Sequence, residues 1–216
     1  MDGGITHPGF IGFMNALIEG RLKLGQTVTQ EELCDVLGIS LSPLREAVTL
    51  LEAEGLVQVR RRLGVVIFYP DVKFVGGTFQ FRELLESEGL RRFAKTVSRE
   101  LVATLKNRHE DIIQFVHQHP DTQTFVQPVK LLEQEFHGGF IAAFDNAQIT
   151  TNYLRLSQKM YLLRLINPEA VNPSNTVKSM EEHLVVLDAL EARDAEAAVD
   201  ALQKHLKGVL HRLIIR

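Results

Sequence analysis

The 216-residue chain has little of what secreted or membrane proteins depend on. Its one cysteine, Cys34, excludes a disulfide framework and a cysteine-based zinc finger. No apolar run approaches the roughly 20 residues that span a bilayer. The N-terminal stretch has neither the cationic segment nor the apolar segment of an export signal. We therefore expect a cytoplasmic protein that does not associate with a membrane.

Excess charge of one sign is absent as well. The net charge is −3 and the isoelectric point is about 6.2, which gives no global indication of nucleic-acid binding. The chain has no tryptophan and only 7% aromatic residues, but 45% of its residues are hydrophobic. It is therefore long and apolar enough to bury a core, as one ordinary domain or two small ones.

Hydrophobic periodicity changes near residue 70 and predicts two domains, residues 1–70 and 71–216. In the first domain, short helical patterns precede two β-like runs at residues 57–59 and 65–69. The second domain shows only long amphipathic patterns, which predict an all-α bundle of six or seven helices. Six of these helices are expected at residues 72–96, 98–117, 124–144, 147–166, 174–192 and 194–214.

The first domain has the pattern of a helix-turn-helix followed by a β-wing. Thr29 and Glu32 form a capping box at the start of one short helix. Ser42 is the expected N-cap of the next helix, with Pro43 at its first position. Two strands follow, joined by a basic turn at residues 60–64. The predicted fold class is therefore mainly α, with a winged helix-turn-helix before the helical bundle.

Polar and basic residues of this domain lie where a winged helix meets DNA. Ser40, Ser42 and Arg45 are at the N-terminal end of the second helix, the end that reaches base edges and phosphates. Three consecutive arginines at the wing tip suit phosphates or the minor groove: Arg60, Arg61 and Arg62. Against this, residues 1–70 carry a net charge of −2. A winged helix used only for packing or for protein contact is the alternative.

Three of the eight histidines have a spacing that suits a metal site in a helical bundle. Glu133 and His137 are four residues apart on one predicted helix, so they share a face. His183 and His205 lie 22 residues apart on predicted antiparallel neighbours, where both imidazoles can approach one point. Such ligands suit Zn, Ni, Fe or Mn, although packed or surface histidines are an equal alternative from spacing alone. The other histidines lack such partners and are expected to face solvent: His7, His109, His117, His119 and His211.

The predicted winged helix resembles that of the GntR family of bacterial regulators in the segment GISLSPLREAVTLLEAEGLVQVRRRLGVVIF. The family pattern is approximately G-V-S-R-T-P-V-R-E-A-L, then L-x-x-E-G-L-V and a wing, and the similarity covers about residues 10–69. Leu41 stands where the family usually has arginine, so a side chain that reads guanine is missing. The resemblance implies DNA contacts at the matching positions: Ser40, Ser42, Pro43, Arg45 and, at the wing tip, Gly64.

The second domain resembles the FCD domain, the all-helical ligand-binding domain of the FadR-like branch of this family. The similarity rests on the run EQEFH at residues 133–137, the run EHLVVLDAL at residues 182–190 and a last histidine. It implies a small carboxylate effector and a divalent metal held by four residues, with glutamate in place of the family's aspartate: Glu133, His137, His183 and His205.

A further segment, FRELLESEGLRRFA, is similar to the R-x-x-L-E motif in the first helix of the FCD domain. The resemblance implies that Arg82 pairs with the carboxylate of the effector. The alternative is a salt bridge between Arg82 and Glu86, four residues later on the same helix face.

Together these features favour a transcriptional regulator, more often a repressor in this family, that binds a palindromic operator as a homodimer. Two other functions stay open. A metal-dependent hydrolase of all-α fold is disfavoured, because the sequence has no H-E-x-x-H motif and no clear general base, and we expect no enzymatic activity. The third candidate is a scaffold whose wing contacts another protein.

Overall fold

The computed structural model describes residues 7–214, which contain nine α-helices and three β-strands. The chain divides between Phe74 and Val75 into two compact units, which are described separately. Within residues 7–214, none of the helices combines the length and the apolar composition of a membrane-spanning segment.

The N-terminal unit is a small helical domain closed by a three-stranded antiparallel sheet in the order β1-β3-β2. In the register of this sheet, Val28 lies opposite Val65, and Val57 lies opposite Ile67. The first helix and the first strand were not predicted from the sequence. The elements are α1 Pro8–Ile18, β1 Thr27–Val28, α2 Gln30–Leu37, α3 Leu41–Ala53, β2 Val57–Arg60 and β3 Gly64–Ile67.

Local capping explains where these helices begin. The predicted capping box is confirmed, since the Thr29 hydroxyl accepts from the Glu32 amide and the Glu32 carboxylate accepts from the Thr29 amide. The predicted N-cap at Ser42 is wrong. The helix α3 begins two residues earlier, after Ser40, whose carbonyl accepts the first helical bond from Leu44. Pro43 is tolerated there because amides of the first turn have no partner within the helix.

The wing is held against β1 by a close backbone approach at Gly64. This residue has φ +107°, and a Cβ atom there would lie 2.4 Å from the Val28 carbonyl oxygen. Glycine is therefore required on both conformational and steric grounds. The strand that was predicted at residues 65–69 corresponds to β3. It ends at Ile67, two residues earlier than expected.

The C-terminal unit contains six helices, as the hydrophobic periodicity predicts. Each begins and ends within two residues of its predicted position, and two match it at both ends. The bounds are α4 Val72–Thr96, α5 Arg99–Gln118, α6 Thr122–Ala142, α7 Ala147–Ile166, α8 Pro173–Glu191 and α9 Ala195–Ile214. A short 3₁₀ helix, Pro168–Ala170, lies in the connection between α7 and α8.

The core of this unit is an aliphatic and phenylalanine cluster contributed mainly by α4, α5, α6, α8 and α9. Leu90, Phe140 and Leu202 are fully buried within it. The helices α4 and α6 approach closely at Gly89, where a Cβ atom would lie 2.4 Å from the Phe140 carbonyl oxygen. This approach brings together the two helices that carry Glu86 and His137.

Candidate metal centre and nucleic-acid interface

Three buried imidazoles converge inside the C-terminal bundle. His137 lies on α6, His183 on α8 and His205 on α9, and their exposed fractions are 4%, 0% and 1%. One ring nitrogen of each lies within 4.8 Å of the others, and the Nε2 atoms of His183 and His205 are 3.1 Å apart. Three helices therefore bring together the histidines that the spacing and the resemblance singled out.

The Nδ1 atom of His137, on the side of the ring away from the other two histidines, is hydrogen-bonded to a buried carboxylate. Its Nδ1 is 2.8 Å from the Glu86 Oε2 atom. The other oxygen of Glu86 accepts from Arg82 Nε and from the Tyr153 hydroxyl, both at 2.6 Å. Because an ionised carboxylate can only accept, Nδ1 of His137 carries the hydrogen. Its Nε2 is buried and has no hydrogen-bond partner among the described residues.

His205 is held in the same manner on α9. Its Nδ1 is 2.8 Å from Glu182 Oε2, and both oxygens of Glu182 accept from Arg212 at 2.7 Å. The guanidinium of Arg212 also donates to the Ser179 hydroxyl. Nδ1 of His205 therefore also carries the hydrogen, which leaves the Nε2 lone pair facing the other imidazoles.

His183 is held by a fourth histidine instead of a carboxylate. Its Nδ1 lies 3.1 Å from His109 Nε2, and Nδ1 of His109 lies 2.7 Å from the Leu105 carbonyl oxygen. The expectation that His109 faces solvent is therefore wrong, because it is fully buried on α5. The same expectation fails for His7, which is partly buried and caps α1 by accepting from the Gly9 amide.

The described geometry fits a bound metal ion. In their neutral forms, all three histidines carry the hydrogen on Nδ1 and direct the Nε2 lone pair toward one point. Metal–nitrogen bonds of about 2.1 Å at tetrahedral angles place neighbouring ligand nitrogens roughly 3.4 Å apart, close to the 3.1 Å between His183 and His205. Outer hydrogen bonds to carboxylates and other acceptors are typical of metal-bound histidines.

Glu133 borders this point but stands back from it. Its carboxylate oxygens lie 3.7 Å from His183 Nε2 and 3.9 Å from His137 Nε2. One of these oxygens is also 3.6 Å from a terminal nitrogen of Arg164. Glu133 therefore lies beside the three histidines, and its role as a fourth ligand stays a prediction.

Burial and neighbouring charges favour the neutral form of three of the histidines and the ionised form of two of the carboxylates. Burial lowers the pKa of His109, His183 and His205. Burial alone would raise the pKa of Glu86, but the Arg82 guanidinium and the His137 ring outweigh it and hold that pKa well below its usual range. Glu182 is also buried in part, yet its hydrogen bonds from Arg212 and His205 lower its pKa to about 2.

Two cavities border Glu133, and the larger of the two also borders His137. The larger, of about 470 Å³, lies among α4, α6 and α7 and is lined in part by His137, Lys130 and Tyr153. The smaller, of about 100 Å³, extends toward α8 and α9 and reaches Arg212. Both are bordered by the same charged group, Arg82, Glu133 and Arg164. The predicted alternative for Arg82, a salt bridge with Glu86, is present, and Arg82 also lines both cavities.

In the N-terminal unit the predicted DNA-contacting residues lie at the start of α3 and around the wing. Ser40, Ser42 and Arg45 are exposed, and Pro43 is half-buried. The wing arginines Arg60, Arg61 and Arg62 are exposed, while Gly64 is half-buried at the start of β3. Leu41, the first residue of α3, has 42% of its surface exposed. The N-terminal end of α3 therefore presents an exposed apolar side chain beside the predicted DNA-contacting residues.

Two protein-family models match the chain. The model described as bacterial regulatory proteins of the gntR family matches residues 14–67, and the model for the FCD domain matches residues 78–208. The chain belongs to the GntR family. It is a FadR-like transcriptional regulator, with the FCD domain following the winged helix, and the predicted family and fold class are confirmed.

Curated relatives and a solved structure agree with this assignment. The regulator YdhC of Bacillus subtilis is 23% identical over 202 residues, which cover 92% of this chain and 88% of YdhC. The gluconate operon transcriptional repressor of Bacillus licheniformis is 20% identical, with coverage of 89% and 78%. The structure of E. coli McbR/YncC has a TM-score of 0.72 at 19% identity, with coverage of 95% and 96%, and so shares the fold. These relatives are transcriptional regulators, not enzymes.

Sequence reasoning missed most of the outer partners in this GntR regulator. Tyr153 and Arg212 had no signal beyond their position on amphipathic helices, and Glu182 appeared only as the residue before His183 in the run EHLVVLDAL. His109 did have one, because it continues the buried face of α5 formed by Val102, Leu105 and Val116. A histidine on such an apolar face is buried with its helix and requires a polar partner there.

Proposed function

We propose that this GntR regulator binds its operator as a homodimer and responds to a small carboxylate held beside a divalent transition metal in the FCD domain. It acts as a repressor that the effector releases. Zn, Ni, Fe and Mn all suit a set of imidazole and carboxylate ligands. The metal supplies positive charge and open coordination positions for an anionic effector.

One observation carries the metal proposal, namely the arrangement of lone pairs around His137, His183 and His205. Each Nδ1 donates to a fixed acceptor, so each Nε2 faces the others without a hydrogen between them. Lone pairs gathered beside the Glu133 carboxylate repel one another unless a cation lies among them. We assign the four ligands as the three Nε2 atoms and one oxygen of Glu133.

The cavity chemistry supports a carboxylate effector. The larger cavity has room for a small organic acid and is lined by Lys130 and Arg164 as well as two of the proposed metal ligands, Glu133 and His137. Arg82 already donates from Nε to Glu86, so it contributes through its terminal nitrogens and its charge. The relative named for the gluconate operon is consistent with this class, because gluconate is a small hydroxylated carboxylate.

The proposed DNA contacts follow from the exposed ends of the winged helix. Ser40, Ser42, Pro43 and Arg45 lie at the start of α3, the part of a recognition helix that meets base edges and phosphates. The wing adds phosphate contacts through Arg60, Arg61 and Arg62, next to the turn at Gly64. A palindromic operator with half-sites about one DNA turn apart requires two such helices, hence a homodimer.

The metal and effector proposal is tested on protein purified without a tag or chelator. Elemental analysis is expected to find close to one equivalent of a transition metal per chain. A thermal-shift screen of small carboxylates is expected to raise the melting temperature only when metal is present, because a ligand stabilises the state that binds it. Less than about a tenth of an equivalent, with no shift on adding zinc, nickel or manganese, contradicts the metal site.

Arg45 provides the sharpest test of the DNA interface. Arg45→Ala is expected to weaken binding to the operator selected from a random duplex library by about 1–3 kcal/mol, with little change for unrelated DNA. Lys23→Ala is the matched control, since Lys23 is an exposed cation outside α3 and the wing. Equal operator affinity for Arg45→Ala and the wild type contradicts the docking of α3.

A further inference from the structure

His109 is a fully buried side chain that the metal ligands do not include, and both of its nitrogens are engaged. Nδ1 is 2.7 Å from the Leu105 carbonyl oxygen, which can only accept, so this nitrogen carries the hydrogen. Nε2 of the neutral ring is then an acceptor, and it faces Nδ1 of His183 at 3.1 Å. The backbone of α5 thereby determines which nitrogen of His183 carries a hydrogen.

We propose that His109 is a positioning residue of the metal centre, which holds His183 in the tautomer and ring orientation that present Nε2 to the metal. This inference rests on the metal site proposed above. The chain of hydrogen bonds runs from the Leu105 carbonyl through His109 to His183, so each neutral ring has one tautomer that fits these contacts.

The three ligands differ in their outer acceptors. His137 and His205 donate to the carboxylates of Glu86 and Glu182, and each of these carboxylates is neutralised by an arginine. His109 performs the same accepting role for His183 without adding a charge. A neutral acceptor suits this position because His183 is fully buried and stacks on Phe136, with 4.2 Å between the ring centroids.

Packing alone is the competing explanation, and it makes a different prediction. His109 also contacts Phe136 edge to face, at 5.2 Å between centroids. If only its volume matters, an apolar side chain replaces it without loss of metal affinity. If its acceptor matters, glutamine is the better replacement, because its carbonyl oxygen can reach the place of Nε2.

The experiment compares the full-length wild type with His109→Gln, His109→Leu and His109→Phe. His117→Leu is the control, because it removes an exposed histidine from the same helix. Long-range ¹H–¹⁵N correlation spectra of the metal-free proteins report the tautomer of His183. Competition with a chromophoric chelator then gives the zinc affinity of each protein.

The wild type, the control and His109→Gln are expected to show His183 with its hydrogen on Nδ1 and to bind zinc with affinities that agree within a few-fold. His109→Leu and His109→Phe are expected to lose this single tautomer and to bind zinc about 10- to 100-fold more weakly. Folded apolar variants with the wild-type tautomer and affinity overturn the proposal, as does a glutamine variant that loses both.

Failure of the metal site itself gives a separate result. If the wild type binds no zinc, nickel or manganese, the proposed metal function is wrong. The tautomer of His183 in the glutamine variant and the apolar variants still decides whether His109 orients that ring. If the apolar variants do not fold, the test depends on His109→Gln alone. That variant must then keep both the tautomer of His183 and the zinc affinity, and loss of both overturns the proposal.

Discussion

The winged helix and the FCD domain place their functional side chains in opposite environments. In the winged helix, Arg45 and the wing arginines are exposed at the ends of secondary structure, where few neighbours constrain them. In the FCD domain, His137, His183 and His205 are at most 4% exposed, and each depends on an outer hydrogen-bond partner. Exposed residues can therefore be replaced with little effect on stability, whereas replacing one of the buried histidines disturbs a whole network.

Of the substitutions that compare the two domains, His183→Ala is expected to have the largest effect, on the affinity for zinc. The variant loses one of three imidazoles, so zinc affinity should fall by more than the roughly 100-fold that follows loss of an outer partner. Basal operator binding should persist, because the winged helix is a separate compact unit. Elemental analysis and gel-shift titration measure the two effects, with His117→Ala as control. A metal content near one equivalent in His183→Ala would contradict the ligand assignment.

The wing arginines are expected to give the next largest effect, on binding to DNA of any sequence. Replacing Arg60, Arg61 and Arg62 together with alanine should flatten the dependence of log affinity on log salt by about 0.9 for each lost phosphate contact. The charge-matched control removes three exposed cations of the second unit: Lys95, Arg99 and Lys207. An unchanged salt slope in the wing variant would show that the wing does not contact the phosphates.

A smaller effect is expected from the contact between α4 and α6 beside the candidate metal centre. Gly89→Ala should destabilise the FCD domain by about 1–3 kcal/mol, because its Cβ collides with the Phe140 carbonyl and separates α4 from α6. Gly77→Ala is the control on the same helix, where a Cβ meets no atom within 4 Å. Denaturant unfolding measures both variants. Equal stability for them would show that α4 and α6 can separate without cost.

The smallest effect is the pH dependence of the metal-free protein. Because burial lowers the pKa of His109, His183 and His205 below the unfolded value of about 6.5, the unfolded chain binds protons first as the pH falls. The melting temperature should therefore decrease below about pH 6.5. Glu86 and Glu182, whose pKa values are also lowered, add a loss below about pH 4.5. A melting temperature that rises between about pH 7 and 5 would contradict this sign.

Much of the helical architecture could be predicted from local sequence. The helices α4 and α7 match their predicted bounds, because long amphipathic patterns and breakers such as Asn167-Pro168 act over a few residues. The start of α3 was misplaced, since Ser40 and Ser42 are both good N-caps and only the backbone at Ser40 decides between them. The first helix, which begins at Pro8, was missed because its pattern is short and mostly apolar.

By itself, the sequence determined the family and the order of helices, since motifs and periodicity are local properties of the chain. It also singled out Glu133, His137, His183 and His205 as the candidate metal ligands. Only the tertiary structure decided which partners complete the centre. His109 is 74 residues from His183 along the chain, and Glu86 is 51 residues from His137. These hydrogen bonds exist because α4, α5, α6 and α8 pack together, and packing between distant helices leaves no fixed spacing in the sequence.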